Sequence, residues 1–167
     1  YFSNFDDLST DGIVYDATNT DTIDTWVPAA QLSLFKYELK SNENSFTTAV
    51  QTSRDNGTTF FEQTLSISLK KQDQAMHKNI KLLAYGRPRI IVRTMTDQFF
   101  LMGLAQGCDT TAGEISSGAA MGDFNGYKLT FVASEVLPAN FIDVSTEAAL
   151  KTAFADSVGA DASIVTS

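Results

Sequence analysis

Few side chains in this 167-residue chain have the type and spacing that catalysis needs. The single histidine, His77, stands between Met76 and Lys78, and the single cysteine, Cys108, has no His or Cys near it in sequence. Nucleophilic catalysis needs a base beside the nucleophile. The expectation is therefore a structural histidine on a helix edge and an inert, half-buried thiol. No Gly-x-Ser-x-Gly elbow occurs, which removes a common hydrolase signature. Gly118 and Gly122 resemble a phosphate loop only superficially: a Walker motif ends in Gly-Lys-Ser/Thr and opens a helix, whereas Gly126 leads through Tyr127-Lys128 into a strand pattern. Asp123-Phe124-Asn125-Gly126 begins as a calcium loop does, yet its Gly falls at position four instead of six. Asn56-Gly57-Thr58 fits a glycosylation sequon, and a hairpin turn accounts for it equally well. Twenty acids leave room for a carboxylate pair, and no spacing singles one out. One Cys and one His exclude an internal disulfide and a Cys/His zinc cage. The expected inventory is no catalytic residue, no cofactor and no metal.

The elements that would carry any site are mainly strands. Leu32 and Leu34 alternate with Ser33, and Phe46, Thr48 and Val50 share a face of a second strand. Arg54-Asp55-Asn56-Gly57 is a hairpin signal, because Asn-Gly supplies the positive φ angles of a tight turn. The strand beyond it runs from Phe60 to Leu69, with Leu65, Ile67 and Leu69 on one side and Ser66, Ser68 and Lys70 on the other. Such alternation reads as half-buried antiparallel sheet. The period then changes: Met76, Ile80 and Leu83 stand at i, i+4 and i+7, backed by Ala75 and Leu82, which predicts one amphipathic helix over about 71–85. Gly86 and Pro88 end it. Strands resume over Arg89–Met95, Gln98–Leu104 and Tyr127–Ala133, with a turn at Thr96-Asp97. Leu65, Ile67, Leu83, Ile91 and Phe131 are the expected core positions.

Three segments follow a different logic. Residues 1–30 are rich in Asp, Thr, Ser and Asn and read as an extended N-terminal arm with no core of its own. Residues 105–126 carry five glycines and read as a long loop, anchored only by Ile115, Met121 and Phe124 and ordered by a neighbour. Residues 143–167 hold a short helix from Ser145, with Glu147 in its first turn. The expected fold is mainly β: a single domain, 1–167, whose 31–142 core is an antiparallel β-barrel or sandwich with one packed helix.

Composition narrows the partners. A hydrophobic share of 43% and a charged share of 19% suit a folded chain, and no apolar run approaches the ~20 residues of a membrane-spanning helix. The net charge of −8 argues against nucleic acid as a general partner, because phosphate binding rests on clustered Lys and Arg. The charge is unevenly placed: −6 over residues 1–35, +5 over 36–93 and −7 over 94–167. Complementary blocks can close on one another within one fold or between copies.

From Asn56 to Ile142 the chain resembles virion structural proteins of tailed bacteriophages, of the tail-tube type. The matching phrases are Asn56-Gly57-Thr58 before Phe60-Phe61-Glu62-Gln63-Thr64-Leu65, Leu83-Ala84-Tyr85-Gly86-Arg87, Gly122-Asp123-Phe124-Asn125-Gly126-Tyr127 and Glu135-Val136-Leu137-Pro138-Ala139-Asn140. The resemblance implies a small β-barrel or sandwich with one helix, self-assembling into stacked rings of a tail or neck. The expected partners are copies of itself and neighbouring virion proteins, with DNA only as passing cargo and the virion, assembled in the host cytoplasm, as location. The residues expected to carry assembly are Ile13, Val14, Tyr15, Trp26 and Val27 of the arm, with Ile115, Met121 and Phe124 of the long loop. Two other readings stand beside it: a β-sandwich binding carbohydrate or protein on a platform of Trp26, Phe124 and Tyr127, and a small hydrolase with a carboxylate site.

Overall fold

The computed structural model describes residues 1–3, 12–40, 43–55, 57–120 and 122–166, leaving aside the side chain of Ala75. Strands hold 46% of the residues and helices 12%, so the fold is mainly β as expected. The strands are β1 (Phe2–Ser3), β2 (Ile13–Tyr15), β3 (Thr22–Trp26), β4 (Ser33–Lys36), β5 (Ser45–Ser53), β6 (Thr58–Lys70), β7 (Arg89–Arg93), β8 (Phe99–Met102), β9 (Asp109–Ser116), β10 (Gly126–Glu135), β11 (Asn140–Ile142) and β12 (Ser163–Thr166). Helix α1 (Gln74–Tyr85) follows β6, and α2 (Glu147–Ala153) follows β11.

Two sheets pack as a sandwich. The larger has the order β12-β4-β1-β7-β8-β11-β3-β2, and the smaller β5-β6-β10-β9. The pairings are antiparallel except β12 with β4 and β11 with β3, which are parallel. Strands β7 and β8 explain the layering. Their runs Ile90-Ile91-Val92 and Phe99-Phe100-Leu101-Met102 are apolar on both faces, as a strand covered on both sides must be. Ile91, Phe99 and Leu101 point into a core shared with Trp26, Leu34, Leu150 and Phe154, which α2 closes. Ile90 and Met102 point into a second core shared with Leu65, Ile67, Tyr127 and Phe131 of the smaller sheet, and with Ile80 of α1.

The sequence patterns that depend on neighbours along the chain hold. The β5–β6 hairpin closes at Ser53↔Thr58 with Gly57 at φ +62°; Asn56 lies outside the described residues. Helix α1 ends at Gly86, whose N–H donates to the Leu82 carbonyl. Helix α2 is capped one residue later than expected: the Thr146 hydroxyl, not that of Ser145, accepts from the Ala149 N–H. Gly126 sits where β10 meets β6, and a Cβ there would overlap the Leu69 carbonyl oxygen, so only glycine allows that approach.

Three expectations are corrected. The described residues of 1–30 form no separate arm. Phe2 pairs with Phe35 and Ile90, so β1 completes the larger sheet between β4 and β7, and Ile23 and Trp26 are core residues. The long loop is half strand: β9 pairs with β10 in the same chain, because backbone hydrogen bonds order an edge strand that buries little apolar area. Leu83 is only half-buried, packing against the second core from α1.

A polar tie joins the first strands to α2. Glu147 Oε2 accepts from Lys36 Nζ at 2.7 Å and from the Tyr1 hydroxyl at 3.0 Å. The Lys36 ammonium, with the hydroxyl of Tyr1 adding to it, holds the Glu147 carboxyl below the usual glutamate range. A carboxylate depressed in the folded state stabilises above its unfolded pKa and loses that contribution as pH falls through the folded one. Glu147→Gln should therefore be less stable than the parent near neutrality, and the two denaturation midpoints should converge as pH drops below the ordinary carboxylate range. In the cores, Phe131→Ala should cost ~3–5 kcal/mol, and half-buried Leu83→Ala clearly less, about 1–2 kcal/mol, in urea titrations.

Candidate assembly surfaces

Three buried polar side chains, Gln63, Glu135 and Asn140, are held by backbone groups. Gln63 accepts from the Gly103 N–H (3.2 Å) and donates to the Leu137 carbonyl (3.3 Å). Glu135 Oε1 accepts from the Ala105 and Gln106 N–H groups at 3.0 and 2.8 Å, and Asn140 donates to the Asp21 carbonyl at 3.0 Å. Each ties a connection to a strand, which is what a buried polar group needs to offset its lost water. A cleft of about 210 Å³ opens beside them, lined mostly by apolar side chains such as Phe60, Leu104, Val136 and Leu137. Cys108 is fully buried, not half-buried as expected, and burial pushes its thiol far up. His77 lies beside the Tyr127 ring at 6.2 Å. Among the described residues no group of three or more His, Cys, Asp or Glu side chains is placed to hold a metal ion.

The residues expected to carry assembly separate into three sets. Val14, Tyr15 and Val27 are exposed on the β2–β3 hairpin, and Ile115 is exposed on β9. Ile13 is half-buried against the first core, and Phe124 is half-buried beneath the Lys128 ammonium, 5.1 Å from the ring centroid. Trp26 is a correction. It is fully buried, with the Arg89 guanidinium 5.2 Å above its ring and Phe154 5.9 Å away, so it cannot touch a neighbour. Its large apolar area draws it inward, because β3 carries a bulge opposite Val14/Tyr15 that lets Ile23 and Trp26, three apart, both face the core. Met121 lies outside the described residues. The hairpin and β9 belong to different sheets, so the two groups are separate patches.

Sequence reasoning missed larger exposed features. Strands β5 and β9 each pair on one side only, and their residues are mostly exposed on both faces. Val50 and Phe60 stand exposed on the outer half of the β5–β6 hairpin, Val50 level with the end of β10 at Glu135↔Phe61 and Phe60 beyond it. Phe141 is exposed beside Phe100, the ring centroids 4.4 Å apart. On α1, Leu82 and Tyr85 turn outward, the latter 83% exposed. No single-strand pattern announces these, because exposure here depends on which strand ends a sheet.

The charge blocks close partly within the fold, through Lys36–Glu147 (2.7 Å), Arg87–Asp109 (3.0 Å) and Arg93–Asp97 (2.6 Å). Lys70, Lys71, Lys78 and Lys81 make no ion pair with a described residue. Trp26→Ala should destabilise the isolated subunit by ~3–5 kcal/mol, while Val14→Ala and Val27→Ala should change its unfolding free energy by less than about 0.5 kcal/mol. Equal losses at all three positions in denaturant titrations would contradict this division. Neither family models, curated proteins nor solved structures give a match to this chain.

Proposed function

We propose that this chain is a structural subunit of a tailed-phage virion, not an enzyme, and that it assembles head-to-tail into a ring or tube through which DNA passes. The observation that carries the reading is the smaller sheet, open at both ends along β5 and β9 among the described residues. A strand edge of eight or nine residues presents a row of backbone donors and acceptors that a second chain can pair with. Two different edges on one subunit make a heterologous contact, which generates a closed ring when the rotation closes and a filament when it does not. The β5–β6 hairpin adds to the case, since a two-stranded ribbon is marginal in water without further packing.

The outward face of the smaller sheet suits a channel wall. Residues alternating with the buried Leu65, Ile67, Leu129 and Phe131 are Thr64, Ser66, Ser68, Thr130 and Val132, short and uncharged, with Lys70 and Lys128 at one end of the sheet. A wall of this kind offers DNA phosphates no run of Lys or Arg to bind. The platform reading loses two of its three aromatics, since Trp26 and Tyr127 are buried.

Placing charge on the free edge tests the proposal. Thr48→Lys with Val50→Lys, both exposed on β5, should weaken assembly by at least ~10-fold in sedimentation while leaving the thermal midpoint within a few degrees, because edge lysines oppose strand addition. Rings or tubes in electron micrographs of the parent are the expected result. A parent that stays monomeric by light scattering at high concentration would sink the proposal and favour a binding module.

A further inference from the structure

The two sheets differ in width. The smaller, four-stranded sheet ends at β5, where Phe46 stacks on Phe100 of β8 at 5.8 Å. The larger sheet continues past that point through β11, β3 and β2, and on this overhang Phe141 remains 44% exposed and Val14 49% exposed. Two acids sit among them. The parallel register of β11 on β3 sets Phe141 opposite Thr22 and Ile142 opposite Ile23, so Asp143 comes beside Asp24. Asp24 and Asp143, which follow the core-facing Ile23 and Ile142, are both exposed, and the Asp143 N–H donates to the Ile23 carbonyl. Neither carboxylate has an ion-pair partner among the described residues. Like charges side by side, bordering exposed apolar surface, leave a site that a cation next to an apolar group would satisfy.

The opposite flank of the molecule carries that complement. Helix α1 lies at the β9 end of the smaller sheet, where the Thr110 hydroxyl donates to the Leu83 carbonyl and the Gln72 side chain to the Ser116 carbonyl. Its inward stripe is Met76, Ile80 and Leu83. On the far side Lys78, Lys81, Leu82 and Tyr85 fall at i, i+3, i+4 and i+7, so they share one face. All four are exposed, Leu82 by 61%, and the two lysines are unpaired with any described acid. A helix face mixing two bulky apolar residues with two unpaired cations is unusual for plain solvation.

We infer that the outward face of α1 in one copy docks on the overhang of the next, with Lys78 and Lys81 meeting Asp24 and Asp143 while Leu82 and Tyr85 cover Phe141 and Val14. The occupant is a second copy of this chain, chosen by charge and by position. A neighbour joined through its β9 to this copy's β5 brings α1 to the side on which the overhang projects. The inference rests on the head-to-tail reading above and adds to it the contact that sets which flank meets which. Strand pairing alone tolerates a slip along the edge; a charged helix against a charged overhang does not.

Charge exchange separates this contact from assembly in general. Lys78→Glu with Lys81→Glu, and separately Asp24→Lys with Asp143→Lys, should each weaken assembly at least ~10-fold in sedimentation, with thermal midpoints near the parent's. An equimolar mixture should regain the parent's behaviour to within about threefold, because each reversed face then finds its reversed partner. A second measurement bypasses charge: Tyr85→Cys combined with Phe141→Cys should oxidise to a ladder of covalent multimers, with buried Cys108 taking no part. An assembling parent whose reversed variants assemble equally well, or fail to rescue one another, or whose cysteine variant gives no ladder, overturns the docking and leaves the ring. A parent that does not assemble overturns both.

Discussion

The structure depends on one constraint: the β7–β8 hairpin must be covered on both faces. Its side chains alternate between two cores, Ile91, Phe99 and Leu101 into one, Ile90 and Met102 into the other. Neither core could exclude water without the element that closes it, α2 over the first and the smaller sheet with α1 over the second. Fully burying a side chain of this size is worth roughly 1.5–3 kcal/mol, so five of them on two short strands draw both layers toward the same ribbon. The turn that joins the strands is fixed as tightly: Asp97 adopts φ +59°, and its carboxylate takes two hydrogen bonds from Arg93.

What could be read from sequence was what local period determines. The alternation in β6 and β10, the closing of the β5–β6 hairpin and the i, i+4, i+7 stripe of α1 each act over a few residues, and each formed where expected. The misreadings share a cause. Residues 1–30 looked like an arm because their apolar residues are sparse, yet Phe2 and Trp26 are few, large and fully used, paired through β1 with Phe35 and Ile90 or packed against Phe154. Strand β9 looked like loop because Gly113 and its Thr and Ala neighbours have no buried face to advertise; its order comes from the β10 backbone. Composition reports the area a segment can bury by itself and is silent about a ladder supplied from elsewhere. The candidate surface was legible only in part, since Val14, Tyr15 and Ile115 are exposed but Phe141 and the outward face of α1 become visible once the sheet ends are known.

The polar residues inside the sandwich follow the same economy. Gln63, Glu135 and Asn140 each reach across to a backbone group of another segment, fastening the connections after β8 and β10 and the turn before β3. They fix the path of the chain between layers where apolar contacts alone would allow several.

The topology also orders events in time. The smaller sheet and α1 come from one continuous stretch, Ser45 to Glu135, whereas the larger sheet needs β1 from the first residues and β12, whose Ser163 pairs with Ser33 across 130 positions. Distant pairings are slow to find, and a chain leaving the ribosome presents its last strand last. The half of the molecule with the open edges can therefore form while its covering sheet is still incomplete. Until β12 docks, the β5 and β9 edges and the unfinished core are exposed together, which makes that interval the period of greatest exposure to misregistered strand pairing.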